Sequence, residues 1–167
     1  VLNKMYVSEA IKTRFSCRAF TKQPVSANLI KEILDLAKQA PSGGNLQPWH
    51  IHATTGQKLK EIVVDIESKI PDMPMGEKTE YDVYPQNLWD PYRSRRFKCG
   101  EDLYKSINIP REDKGARLKQ LARNLRFFDA PVGLFVYIDK KMGPPQWSDV
   151  GMFLQTIMLI AREKGLH

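Results

Sequence analysis

Cysteine is nearly absent from this chain. Cys17 and Cys99 are the only two in 167 residues. They cannot build a disulfide framework and fit a reducing compartment. Neither belongs to a Cys-x-x-Cys pair or has a histidine at ligand spacing, so no metal site is expected. Long hydrophobic runs are also missing, and no stretch is long enough to cross a bilayer. Val1 to Glu9 is broken by charged and polar residues and lacks the apolar region of a signal peptide. A cytoplasmic protein with no membrane partner is therefore expected. Reactive side chains in catalytic company are absent as well. Ser42 has no evident histidine partner, no pair of acids stands apart from helix-face charges, and there is no phosphate-binding Gly-x-x-x-x-Gly-Lys. An enzyme without its own chemical groups leaves the chemistry to a cofactor. No internal repeat, low-complexity tract or second domain is visible.

What is present is an ordinary globular composition, 42% hydrophobic and 27% charged, with enough chain for one domain and a real core. The net charge of +7 allows a nucleic-acid surface, an anionic cofactor or nothing specific. The densest basic cluster is Arg93, Arg95, Arg96 and Lys98, interleaved with Tyr92 and Phe97. Such a stretch can bind nucleic acid. Glu101 and Asp102 follow at once, however, and a solvated helix face explains the pattern more simply. No nucleic-acid partner is expected.

Two stretches carry the chemistry. The first is Arg14-Phe15-Ser16-Cys17-Arg18-Ala19-Phe20, in which two arginines four apart bracket a serine. Arginine offers a planar, permanently charged fork suited to phosphate, and no acid lies in the segment to neutralise it. Alone, Arg14 and Arg18 also read as a surface pair. The second runs from Ala40 to His50 and includes Pro41, Ser42, Gly43, Gly44, Asn45, Gln47, Pro48 and Trp49. The glycines let backbone approach a ligand closely, the polar side chains are neutral donors and acceptors, and the prolines stiffen both ends. Alone, this is also ordinary turn chemistry. Because it begins at a helix C-terminus, the negative end, the loop suits the neutral part of a ligand, and the arginine segment is the better phosphate site.

Taken together, the two stretches resemble the flavin-dependent nitroreductase family. That family carries an Arg-x-Ser-x-Arg segment, then a helix, then Pro-Ser-x-x-Asn-x-Gln-Pro-Trp. Arg14, Ser16 and Arg18 fit the first element; Pro41, Ser42, Asn45, Gln47, Pro48 and Trp49 fit the second. The sharp matches lie in the first third of the chain. The resemblance implies an α+β fold, a central mixed or antiparallel sheet flanked by helices, in a homodimer with FMN at the interface. It also implies transfer of hydride from NADH or NADPH to nitroaromatics or quinones by a ping-pong mechanism. Arg14 and Ser16, with Phe15 in the same set, would hold the phosphate or ribityl end. Arg18 would sit by the pyrimidine edge and raise the reduction potential. Pro41, Ser42, Gly43, Asn45 and Gln47 would come from the partner subunit. Flavin N5 would carry the chemistry, with no catalytic side chain and no metal. Alternatives are reductive dehalogenation or flavin destruction on the same cofactor, a flavoprotein that only stores or senses FMN, and a basic nucleic-acid-binding module built on Arg93 to Lys98 with Arg117, Arg123 and Arg126.

The remaining elements follow from periodicity. Tyr6 to Thr13 reads as a helix capped by Ser8 or Asn3. Ser26 caps a second, with Leu29, Ile33, Leu36, Ala37 and Ala40 on one face and Pro41 ending it. Trp49 to Thr54 alternates as a strand, with His50 and His52 on one face. They read as strand histidines. A third helix carries Leu59, Ile62, Val63, Ile66 and Ile70. Pro71 to Pro91 is irregular, with four prolines, two methionines, Tyr81, Tyr84 and Trp89; so long a loop is usually functional or mobile, and the resemblance implies that it helps cover the flavin. Pro91 to Ile107 and Pro110 to Phe128 read as helices, the latter with Leu118, Leu121, Ala122 and Leu125 on one face. Val132 to Ile138 reads as a central strand, Gly143-Pro144-Pro145 as a connector, and Ser148 as the cap of a last helix, Asp149 to Lys164. Gly151 in that helix allows close approach of another backbone, and Gly165 is its C-cap. Residues 1–167 are read as one nitroreductase-like domain that lacks the family's C-terminal strands and helix, since two convincing strands are few for an α+β sheet.

Overall fold

Ser26 does what its position predicts. Its hydroxyl oxygen accepts the Leu29 N–H at 3.2 Å and opens α2 (Ala27–Ala37). Ser26→Ala should therefore cost about 1 kcal/mol, read as a lower denaturant midpoint at unchanged slope. The apolar face of α2 buries Ile33 and Ala37. The helix ends at Ala37, earlier than the pattern through Ala40 predicts; a tight turn links it to Pro41.

The computed structural model describes residues 5–72, 77 and 81–167. Asn3, one of the two proposed caps, lies outside them, as do both methionines of the 71–91 stretch. The chain divides into two units, Val1–Lys60 with Asp129–His167, and Glu61–Phe128.

The first unit is built on α6 (Pro144–Glu163), against which α2 and α1 (Val7–Thr13) pack. The N-cap of α1 is Tyr6, without a side-chain bond, so Ser8 lies inside the helix and is not its cap. The start of α6 also departs from expectation. Pro144 and Pro145 occupy its first turn, Gly143 precedes them, and Ser148 is interior. A proline there loses no hydrogen bond, because the first N–H groups of a helix have no internal partner. Gln146 Oε1 accepts the Gly143 N–H at 3.1 Å and secures that end. Gly165, at φ +77°, follows the other end as expected. The core joins Ile33, Ala37, Ala40, Trp49, Phe153 and Ile157. Phe153 is fully buried, and its ring stacks on Trp49 with centroids 4.6 Å apart and planes 9° from parallel.

Strand β1 (His50–Thr55) pairs antiparallel with β2 (Val132–Tyr137), His50 opposite Tyr137 and Thr55 opposite Val132. These two make the whole sheet among the described residues. Ile51 and Leu134 turn towards the core. His50 and His52 share the other face, as alternation predicts, and both rings stack on Tyr137.

The second unit holds most of α3 (Gly56–Lys69), then α4 (Tyr92–Ser106) and α5 (Lys114–Ala122). Asp113 caps α5 by accepting the Ala116 N–H at 2.8 Å. Arg117 joins α5 to α4 by donating to both carboxylate oxygens of Glu101, at 2.7 and 3.1 Å. That guanidinium holds Glu101 below the usual carboxylate range. The helix expected from Pro110 to Phe128 is shorter. It tightens into a 3₁₀ turn over Arg123–Asp129, where Phe127, Phe128 and Asp129 all adopt positive φ. The expected face is not buried either, for Leu118 and Leu121 are 58% and 54% exposed. The basic cluster of α4 is largely matched. Arg93 pairs with Asp90 at 2.8 Å and Lys98 with Asp102 at 2.5 Å, while Arg96 lies over the Tyr84 ring at 4.1 Å. These partners favour a solvated helix face.

Candidate functional site

The arginine segment begins where α1 stops. Arg14 turns extended, and its backbone N–H still donates to Ala10 O at 3.0 Å. Arg14 is half-buried, and its guanidinium has no hydrogen-bond or ion-pair partner among the described residues. Arg18 curls back and donates from Nη1 to Ser16 O at 3.1 Å. Cys17 is occupied locally, its thiol donating to Ala19 O. The last turn of α6 steadies this segment. Arg162 donates from Nε and Nη2 to Thr13 Oγ1 at 3.4 and 3.3 Å, and from Nη1 to Leu166 O at 3.2 Å. Phe15 is exposed but packs against His167, centroids 4.4 Å apart. Burial, aided by the Arg162 charge, holds His167 below the usual imidazole value.

The glycine loop is folded mostly on itself. Gly43–Asn45 form a single 3₁₀ turn, in which Asn45 N–H donates to Ser42 O at 2.9 Å and Leu46 N–H to Gly43 O at 3.2 Å. Ser42 Oγ accepts the Gln47 N–H at 3.0 Å. Gly44, Asn45 and Gln47 all sit at positive φ, 57°, 56° and 48°. Glycine takes that region freely and asparagine tolerates it, so the strain falls mainly on Gln47, at about 1 kcal/mol or more. With the Asn45, Leu46 and Gln47 N–H groups engaged, the groups left for recognition include the Gly44 N–H, the Ser42 hydroxyl proton, the Asn45 and Gln47 amides, and the open glycine faces. A Cβ on Gly44 would meet nothing within 4 Å, and one on Gly43 would meet only Asp149 Oδ2 at 3.9 Å. Crowding within the chain does not require either glycine. Pro48 and Trp49 then bury the exit of the loop.

Behind the loop stands Asp149, which is 5% exposed and accepts the Gly43 N–H on Oδ2 at 3.2 Å. A carboxylate there, added to the negative end of α2, disfavours an anion at this loop. Sequence reasoning missed Asp149 as a site residue. Its one signal was an acid early in a largely apolar helix whose other acid, Glu163, lies at the far end. Arg162 was missed too, as a cation in a last helical turn usually serves only that terminus.

Arg14, Phe15, Ser16 and Arg18 thus lie together at one place, and Pro41, Ser42, Gly43, Asn45 and Gln47 at another. The loop meets α6 at Asp149, and Thr13, just ahead of the arginine segment, meets it at Arg162, thirteen residues on, so the two attachments lie about 20 Å apart along the helix axis. The arrangement separates an open cation from a neutral, carboxylate-backed loop. Among the described residues no three or more histidine, cysteine or acidic side chains gather as metal ligands, and no helix is long and apolar enough to cross a membrane.

A chain with this helical frame, antiparallel strand pair and paired motifs has the nitroreductase-like fold. It matches the Nitroreductase family over residues 11–167 and belongs to that family. It is 37% identical to the nitrobenzene nitroreductase of Ectopseudomonas oleovorans over 96% of this chain and 71% of the relative. It is 38% identical to the 4-nitrobenzoate reductase of Pseudomonas putida over 93% of this chain and 67% of that one. Among solved structures it is similar to the FMN and NADPH-dependent nitroreductase NfnB from Sphigopyxis sp. strain HMH. The TM-score is 0.92, with 46% identity, covering 96% of this chain and 72% of the other.

Proposed function

We propose that this chain is an NAD(P)H-dependent flavin oxidoreductase that reduces nitroaromatics and related electron-poor acceptors with FMN as cofactor. The likeness to an FMN and NADPH-dependent nitroreductase across nearly the whole chain carries this reading. The site agrees with it. The guanidinium of half-buried Arg14, without a partner among the described residues, suits a phosphate, and a neutral loop backed by a carboxylate suits a flat ring. FMN has both ends. When bound, it supplies two-electron transfer from NAD(P)H to the acceptor in ping-pong order. The protein's part is orientation and electrostatics. Arg14 and Ser16, flanked by Phe15, hold the phosphate or ribityl end. Arg18 holds positive charge beside the pyrimidine edge, which raises the reduction potential.

The other wall of the pocket comes from a second copy, through Pro41, Ser42, Gly43, Asn45 and Gln47. The spacing of their attachments along α6 supports a site shared between two copies. Exposed apolar side chains support the homodimer: Trp147, Met152 and Met158 on α6, Leu46 in the loop, and Phe15. A Cβ at Gly151 would touch nothing within 4 Å, so crowding within the chain does not explain that glycine, and a partner's backbone would. In this reading the strand pair is part of a larger central sheet in one nitroreductase-like domain, and the protein works in the cytoplasm.

The decisive measurement is an absorbance spectrum of the purified full chain. A yellow protein that releases FMN on denaturation and oxidises NAD(P)H only with a nitroaromatic present is expected. A colourless protein that takes up no added FMN would overturn the proposal. A flavin-bound protein with no turnover would leave only a storage or sensing role.

A further inference from the structure

We propose that Asp149 is a positioning residue that fixes the glycine loop in its ligand-facing pose and gives the site its polarity, neutral at the loop and anion-accepting at Arg14. The proposal rests on the flavin reading above.

The register of α6 makes Asp149 conspicuous. Asp149, Phe153 and Ile157 are four residues apart and are the three buried residues of that helix. The stripe is core-facing, and Phe153 and Ile157 are apolar as such a stripe requires. An ionisable side chain in the same row costs desolvation and is kept only where something repays it. Here the partner is the Gly43 N–H, 106 residues away in sequence. The other bonds of the loop join Ser42, Gly43, Asn45, Leu46 and Gln47 to one another. They set its internal shape but do not tie it to the body of the unit. Ala40 and Trp49 anchor its two ends by burial, and Asp149 anchors the middle.

Two consequences follow. First, the Gly43 N–H is turned inward and withdrawn from any ligand. An outward-facing turn N–H would attract an anion; this one does not. Second, the carboxylate lies directly behind the glycine, and its field opposes a phosphate at the loop. A ligand with one anionic end and one neutral end is thereby given a single orientation.

The test uses the full chain and two variants. Asp149→Ala removes the acceptor, while Asp149→Asn keeps an acceptor oxygen and removes the charge. Hydrogen exchange at the Gly43 amide is read in flavin-free protein, and the FMN dissociation constant by fluorescence titration. With Asp149→Ala, exchange at Gly43 should quicken about tenfold or more and FMN binding should weaken by about tenfold, equivalent to roughly 1.4 kcal/mol. Amides around Arg14 should keep their wild-type rates. Asp149→Asn should retain Gly43 protection yet relax polarity, so that inorganic phosphate competes with FMN more strongly than in wild type. Unchanged Gly43 exchange in Asp149→Ala would overturn the anchoring role. Faster exchange with unchanged FMN affinity would overturn the link to the site, and unchanged phosphate competition in Asp149→Asn the link to polarity. Should Asp149→Ala fail to fold, loss of Gly43 protection in folded Asp149→Asn would overturn the proposal and its retention would support it. If wild-type protein binds no FMN, the flavin reading fails, and the exchange measurement alone still decides whether Asp149 holds the loop.

Discussion

Arg14→Ala is expected to weaken FMN binding by between about tenfold and a hundredfold while leaving the flavin-free protein as stable as before. A hydrogen bond to a charged group contributes roughly 1.5–3 kcal/mol, and each 1.4 kcal/mol is about tenfold in affinity. The absence of a stability cost is the sharper half of the expectation. Arg14 has no side-chain partner among the described residues, so truncation breaks nothing within the chain, and the unfolding midpoint should move by less than about 0.5 kcal/mol. Arg14→Lys should recover only part of the affinity, because an ammonium supplies charge without the planar fork. Binding should also weaken as salt is raised. Arg18 is a different case. It already donates to Ser16 O, so Arg18→Ala disturbs the segment locally, and its diagnostic is a lower flavin reduction potential. Fluorescence titration of flavin-free protein at fixed ionic strength decides the first point, and a redox titration the second. An unchanged dissociation constant would remove Arg14 from the phosphate site; an unchanged potential would remove Arg18 from the ring.

What could be read from the sequence was local. Arg14, Ser16 and Arg18, and the run from Pro41 to Trp49, announce themselves by residue type and spacing. Ser26 announces its cap because the bond it makes spans only three residues. The alternation from Trp49 onward placed His50 and His52 on one face, and Tyr137 proved to be their shared neighbour through strand register. What could not be read depends on contacts far apart in the chain. Ser148 looked like a cap because serine often is one, yet Pro144 and Pro145 already satisfied the conditions of a first helical turn. Leu118 and Leu121 obey helical periodicity, but periodicity defines a face and does not say what covers it. The left-handed run at Phe127 and Phe128 runs against their intrinsic preference, so tertiary context sets it. Asp149 was placed at the start of a helix, and its partner Gly43 lies in another motif altogether.

Phe153→Ala is expected to be the most damaging core substitution, costing about 3–5 kcal/mol of a total that for most domains is about 5–15 kcal/mol. The side chain is fully buried, and the space it would leave lies among Ile33, Ala37, Ala40, Trp49 and Ile157. The stacked Trp49 ring adds about 0.5–1.5 kcal/mol beyond simple burial. The denaturant midpoint should fall at unchanged slope; a loss below about 1 kcal/mol would mean that neighbours collapse into the space. The position also couples stability to the site. Trp49 closes the exit of the glycine loop, Ala40 its entrance, and Asp149 lies one helical turn before Phe153. A cavity here removes the support beneath all three. Hydrogen exchange distinguishes this from loss of the Asp149 bond. In Phe153→Ala the amides of α2, β1 and the loop should all exchange faster together, since the opening is of the whole core. In Asp149→Ala the change should stay within the loop.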